Sequence, residues 1–295
     1  MNVPSIQSEF APLERVVLKH PREAFIDQAT IAAQWRSLGF SGAPDLERAA
    51  SEFDALVDLL RAGGAEVHLL PRDDRTTLDS IYVRDAAIVC DRGAIICRMG
   101  KAARLQEAPA QERALAALSP TAVPIIGRIE PPGTVEGGDV AWLDRRTLAI
   151  GRGYRTNDEG IRQLRRLLGD SIDELIVVPL PHWRGAGDVM HLMSLISPVD
   201  HDLAVVYSPL LPVPFREQLL ARGMQLVEVP DEEFETMGTN VLAVKPLVCV
   251  MLAGNPRTMR RLQDSGAIVI QYEGMEISVK GAGGPTCLTR PIARS

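Results

Sequence analysis

Long apolar runs, a basic surplus and paired cysteines are all missing from this 295-residue chain. No stretch approaches the roughly 18 apolar residues a membrane helix needs, and the N-terminus MNVPSIQSEFAPLERVVL lacks a cationic segment followed by an apolar one. No leader is therefore expected, and the expected address is cytoplasmic. The charge balance of 32 Lys and Arg against 38 Asp and Glu gives a net −6, and no basic stripe is interleaved with aromatics. That argues against a nucleic-acid partner and favours a cationic ligand. The 4 cysteines form no CxxC pair and show no zinc-type spacing with histidine, so no structural metal is expected. Cys90, Cys97 and Cys249 lie in apolar runs and read as core thiols in a reducing compartment. No low-complexity tract or Pro/Ser-rich linker divides the chain, and 46% hydrophobic residues suffice for a large core. One catalytic or binding domain over 1–295 is the expected organisation.

What the chain does contain is a recurring phrase, a helix-like segment ending in Gly or Ser and then a short β-branched strand. It occurs as LVDLLRAGGAEVHLLP, ERALAALSPTAVPIIG, LRRLLGDSIDELIVVPLP, REQLLARGMQLVEVP and MRRLQDSGAIVIQYEG. Between these copies lie paired apolar runs joined by turn residues, IYVRDAAIVC-DRG-AIICRMG, DVAWL-DRR-TLAIG, HLMSLISPV-DHD-LAVVYS and NVLAV-KP-LVCVMLAG, each read as a hairpin. The unit is strand, strand, helix, strand. A sheet with a single helix cannot bury its own face, so the units must pack on one another. The predicted fold is an α/β five-bladed propeller of ββαβ units, with helices outside and loops converging on the centre. Residues 22–50 interrupt the first unit and read as a partly helical segment that either lies over the centre or is a surface excursion.

The polar sequences sit at element ends. Lys280-Gly-Ala-Gly-Gly-Pro-Thr-Cys287 delivers a thiol from a loop of small residues, through which backbone and sulfur can approach a ligand. The alternative is a small buried hydrophobe opening a last strand. Asp85, within IYVRDAAIVC, reads as an acid inside an apolar strand pair, costly unless it meets a cation such as Arg84 or another arginine. Glu136, in TVEGGD, enters a strand from a tight corner and is either aimed inward or a surface turn acid. Thr156, Asn157 or Asp158 caps the helix IRQLRRLLG, and Arg155 just before it is placed to hold a carboxylate. His191 opens the fourth hairpin, and its position is either structural or catalytic. A thiol, a histidine and two carboxylates suit nucleophilic attack on a cationic carbon, and a guanidinium fits best because its NH fork matches carboxylates. In a Cys/His protease two acids would repel the oxyanion.

The motifs VRD, TVEGGD, RTNDEG, the HL step and the terminal GGPTCL resemble the guanidino-modifying enzymes, the pentein superfamily, and within it the dimethylarginine dimethylaminohydrolases. Arginine deiminases and amidinotransferases belong to the same group. The resemblance spans the chain and implies a five-bladed α/β propeller, in agreement with the repeats. It implies Cys287 as nucleophile, His191 as general acid/base, and Glu136 and Asp85 as guanidinium holders. It also implies Arg104 and Arg155 on the substrate α-carboxylate and Asp79 near its amino end. Two positions bear on the substrate: Met193 stands where deiminases carry the second acid of HxD, and Arg84 is the deiminase-like residue before Asp85.

The expected reaction is thiolate attack on the guanidinium carbon of arginine or an Nω-substituted arginine. An amidino-thioether forms, and water releases citrulline with ammonia or an alkylamine. No metal or organic cofactor is required. A deiminase, an amidinotransferase and a non-catalytic ligand-binding propeller remain the alternatives, and a homodimer is left open.

Overall fold

In the computed structural model, residues 5–118, 122–188 and 190–295 are described. The 119–121 step of the second repeated phrase and Val189 lie outside them. The chain runs β1 (Leu13–Leu18), α1 (Pro21–Ala24), α2 (Gln28–Leu38), α3 (Leu46–Ala62), β2 (Glu66–Leu69), β3 (Ala87–Cys90), β4 (Gly93–Ile96), α4 (Glu107–Ala116) and β5 (Ile125–Arg128). It continues through β6 (Val140–Trp142), β7 (Thr147–Arg152), α5 (Asp158–Leu168), β8 (Glu174–Pro179), β9 (Ile196–Asp200), β10 (Leu203–Val206), α6 (Val213–Ala221) and β11 (Gln225–Glu228). The last elements are α7 (Asp231–Phe234), β12 (Val241–Lys245), β13 (Val248–Leu252), α8 (Pro256–Asp264), β14 (Ile268–Tyr272) and β15 (Arg290–Arg294).

These strands form five three-stranded sheets. In each, the first two strands are antiparallel and the third returns through a helix to lie parallel to the second. Four sheets use the hairpins legible in the sequence. The fifth is made by the chain's two ends, β15 pairing with β1 in the register Leu13↔Arg294, Val16↔Pro291 and Val17↔Arg290. The first strands touch across neighbouring sheets, β6 with β9, β9 with β12 and β15 with β3, which places them at the hub.

Burial follows this layering. Strands β3, β4, β6 and β10 are buried throughout, whereas the third strands β2, β5 and β11 are largely exposed or half-buried. An unbroken apolar hairpin followed by an alternating strand is therefore the sequence form of an inner pair and an outer edge. The helices cover the outside. α3 is capped by Asp45, which accepts from Arg48 N at 2.9 Å, and it buries Ala49, Phe53, Leu56 and Leu60 along one stripe. α5 is capped by Asn157 and buries Ile161, Leu164 and Leu168.

Two local expectations are corrected. Asp85 is not inside a strand pair: strand β3 begins only at Ala87, and the preceding residues form a 3-10 turn over Leu78–Ile81 and further turns. Likewise His191 precedes a 3-10 turn, Leu192–Ser194, and β9 starts at Ile196. At the hub the backbone is used between blades instead of along a ladder. Arg84 N donates to Cys287 O at 3.2 Å, and Gly137 N donates to Asp85 O at 2.9 Å.

Residues 22–50 are largely helical and are tied to the C-terminal loop, Ser41 N donating to Lys280 O at 2.8 Å and Lys280 Nζ to Ala43 O at 3.0 Å. Among the described residues no helix is long and apolar enough to cross a membrane.

Candidate active site

Cys287 hangs three residues ahead of β15, so the strand that closes the ring also brings the thiol to the hub. Its loop is fixed from the blade beside it. Asn240 Oδ1 accepts from Thr286 N at 3.0 Å and Thr286 Oγ1 at 2.8 Å, while Asn240 Nδ2 donates to Cys287 Sγ at 3.2 Å. A Cβ on Gly284 would lie 2.5 Å from the Asn240 side chain, so this approach requires glycine. Ala282, in the same loop, holds φ at 57°, a left-handed conformation unusual for a residue with a Cβ. Burial raises the thiol's pKa and Asp85 adds to this, while the Asn240 hydrogen bond acts the other way. Cys90, Cys97 and Cys249 are buried, and burial pushes Cys249 up to about 12. They behave as core thiols.

His191 lines the same cavity as Cys287. Its Nε2 lies 2.7 Å from Glu136 Oε2, and its Nδ1 is 3.9 Å from Asp85 Oδ1. Burial disfavours charge on the ring, but Asp85, Asp139 and Glu136 outweigh it and push His191 up to about 9. Glu136 is fully buried, and although burial raises a carboxyl, His191, Arg104 and Arg155 hold it well below the usual range. Its Oε1 also accepts from Gly100 N at 2.8 Å, and Arg155 Nη1 is 3.2 Å from Oε2. Asp139, buried and pushed up to about 6 by desolvation, accepts from Thr156 Oγ1 at 2.6 Å and from Leu192 N at 3.1 Å, which anchors the backbone beside His191. The paired glycines of TVEGGD are steric necessities: a Cβ on Gly138 would sit 2.6 Å from His191 Nδ1 and 2.7 Å from Asp85 Oδ1.

Asp85 pairs with Arg104, not with its neighbour Arg84. Its Oδ2 accepts from Arg104 Nη1 at 2.6 Å, and its Oδ1 from Gly138 N at 2.9 Å. Arg84 turns away to the N-terminal segment and binds both oxygens of Glu9 at 2.8 Å. Arg104 is itself clasped by Glu107 at 2.9 and 2.8 Å, and burial pushes Glu107 up to about 7. Asp79 is buried and accepts from Lys101 Nζ at 2.7 Å, and the same ammonium reaches Leu38 O at 2.8 Å. Asp85, Glu136 and His191 offer ligand atoms within 4.8 Å of one another, a set able to hold a cation.

All seven site residues expected from the sequence gather here. Cys287, His191, Asp85, Asp79, Arg104 and Arg155 line one cavity of about 120 Å³. Glu136 lies directly behind His191. A second cavity of about 100 Å³ meets the first at Cys287 and His191. A larger one of about 220 Å³, near Lys19 and Gln111, lies behind Glu107 and contains neither the thiol nor an imidazole. Sequence reasoning missed Asn240, Lys101, Asp139 and Glu107. Asp139 stood within the TVEGGD motif and Glu107 within RMGKAARLQE, but nothing in the sequence around Asn240 ties it to a loop 47 residues away.

The sequence profile described as "N,N dimethylarginine dimethylhydrolase, eukaryotic" matches residues 22–294. The chain is 28% identical over 276 residues to the N(G),N(G)-dimethylarginine dimethylaminohydrolase of Pseudomonas aeruginosa, covering 94% of this chain and 98% of that protein. It is 31% identical over 242 residues to the enzyme of the same name from Streptomyces coelicolor, covering 82% and 84%. Among solved structures it is similar to a cysteine-to-serine mutant of the Pseudomonas aeruginosa enzyme complexed with citrulline, with a TM-score of 0.76, 25% identity, and coverage of 96% of this chain and 99% of that one. By profile, by sequence and by fold, the chain belongs to the dimethylarginine dimethylaminohydrolase family.

Proposed function

We propose that this protein is an amidinohydrolase that converts arginine or an Nω-substituted arginine to citrulline and releases ammonia or an alkylamine. The observation that carries it is that Cys287, His191 and Asp85 line one cavity, with Glu136 buried against His191 at 2.7 Å. The substrate guanidinium docks against Asp85 and Glu136. Its positive charge offsets Asp85, one of the two influences that raise the Cys287 pKa, and so favours the thiolate. Sulfur attacks the guanidinium carbon. His191, protonated at neutral pH and oriented by Glu136, gives its proton to the departing nitrogen. A planar amidino-thioether remains on Cys287. Now neutral, His191 takes a proton from water, which attacks this carbon, and collapse frees the ureido product and the thiol.

Arg155 and Arg104 hold the amino-acid carboxylate, and Asp79 receives the ammonium. Of the two arginines, Arg155 is the freer, because Arg104 is already engaged by Glu107 and Asp85. The segment over 22–50 closes the mouth, with Leu38 and Gly39 on the cavity wall and Lys101 reaching across to Leu38. The steps need no metal or organic cofactor. A single catalytic domain in the cytoplasm fits a reaction that depends on a reduced thiol.

Incubation of purified protein with arginine and its methylated forms tests the proposal. Citrulline should appear with stoichiometric ammonia or methylamine and without an added acceptor amine. An amidino product formed only in the presence of an acceptor would instead make the protein a transferase.

A further inference from the structure

The cavity that holds Asp79 and Arg155 does not end at the Cys287–His191 pair. Beyond these two residues opens the second chamber, of about 100 Å³, whose apolar side is formed by Trp183, Met190, Met193, Phe234 and Met237. At ~30 Å³ for a water molecule in the liquid, this is space for a group well beyond one methyl. The wall is built, not incidental. Phe234 stacks on Tyr207 with ring centroids 3.9 Å apart, Trp183 meets Phe234 edge-on at 6.2 Å, and Met193 is buried beside His191. Arg184 at this wall is paired with Glu235 at 2.6 Å and lies over the Trp183 ring. Thioether and aromatic surfaces with a paired charge at the edge suit an alkyl group better than water.

The groups assigned above to the amino-acid end, Asp79, Arg104 and Arg155, line the first cavity. A guanidino substrate anchored there presents its carbon to Cys287 and its far nitrogen to the second chamber. We propose that the preferred substrate carries on that nitrogen an alkyl group longer than methyl, roughly two to four carbons by the chamber's volume, seated against Met190, Met193 and Phe234. The inference rests on the amidinohydrolase reading and names the substrate class of the same site. In the step it describes, a bond forms between Sγ and the guanidinium carbon. The bond from that carbon to the alkyl-bearing nitrogen breaks, its electron pair leaves with the nitrogen, and the nitrogen takes a proton from His191. The alkylamine emerges into the apolar chamber, and water hydrolyses the amidino-thioether.

The test is kcat/KM for citrulline formation from arginine and from its Nω-methyl, ethyl, propyl and butyl derivatives, with the wild type and with Met190→Trp. The expected result is a rise of roughly fourfold per methylene up to propyl, and a propyl-to-methyl ratio at least tenfold lower in the variant. Citrulline formation that is fastest from arginine or methylarginine overturns this inference and leaves the amidinohydrolase reading intact. A ratio unchanged by Met190→Trp overturns the placement of the alkyl group. No citrulline from any member of the series removes both.

Discussion

His191 and Glu136 stand 55 positions apart in the chain, yet their Nε2 and Oε2 atoms are 2.7 Å apart in the buried centre of the ring. Each side chain alone would be costly to bury charged; burial disfavours the imidazolium, but Asp85 and Asp139 together with Glu136 push His191 up to about 9 from an ordinary value of 6.5. A histidine whose folded pKa is raised contributes stability that is fully present below the unfolded value and is lost as pH rises through the folded one. Across about pH 6.5 to 9 the protein should lose up to about 3 kcal/mol of unfolding free energy from this group. Urea denaturation as a function of pH checks this. In Glu136→Gln the slope over that interval should flatten, because the imidazole has lost its nearest anion.

Cys287→Ser should lower citrulline formation by ~10³-fold or more with the melting temperature nearly unchanged. Circular dichroism separates loss of chemistry from loss of fold.

The hold of Asn240 on the nucleophile loop predicts a double effect for Asn240→Ala. Three hydrogen bonds to residues 286 and 287 are lost, costing about 1 to 3 kcal/mol of stability. The thiol also loses a donor that lowers its pKa, so iodoacetamide alkylation of Cys287 at neutral pH should slow. Stopped alkylation followed by peptide mapping measures it.

Gly138→Ala should be severe for so small a change. The added methyl meets His191 Nδ1 at 2.6 Å and Asp85 Oδ1 at 2.7 Å, both held in a buried ion network that has no room to move aside. Turnover should fall ~10²-fold, with a lowered melting temperature.

The architecture was legible because burial in this fold has a sequence signature. Inner hairpins read as unbroken apolar runs and outer strands alternate, as β10 and β11 illustrate. The fifth hairpin was not legible, since β1 and β15 pair across the whole chain and neither alone looks like half of a turn. Cys287, Glu136 and His191 could be singled out because loops rich in glycine or turn residues carry them. The error at Asp85 has a physical cause: apolar residues on both sides of it are buried by packing at the hub, and a buried turn has the same composition as a buried strand. Lys101 and Asn240 escaped notice because their work is to bridge separate blades, which no local pattern records.

The central claim is that Cys287 takes the guanidinium carbon onto its sulfur. Rapid acid quench during turnover of arginine or an Nω-alkylarginine, followed by mass spectrometry of the peptides, tests it directly. The expected adduct has the mass of the substrate less its departing amine, sits on Cys287 and on none of Cys90, Cys97 or Cys249, and is absent in Cys287→Ser. Citrulline produced at full rate with no adduct on Cys287, or with the adduct on another thiol, would contradict it.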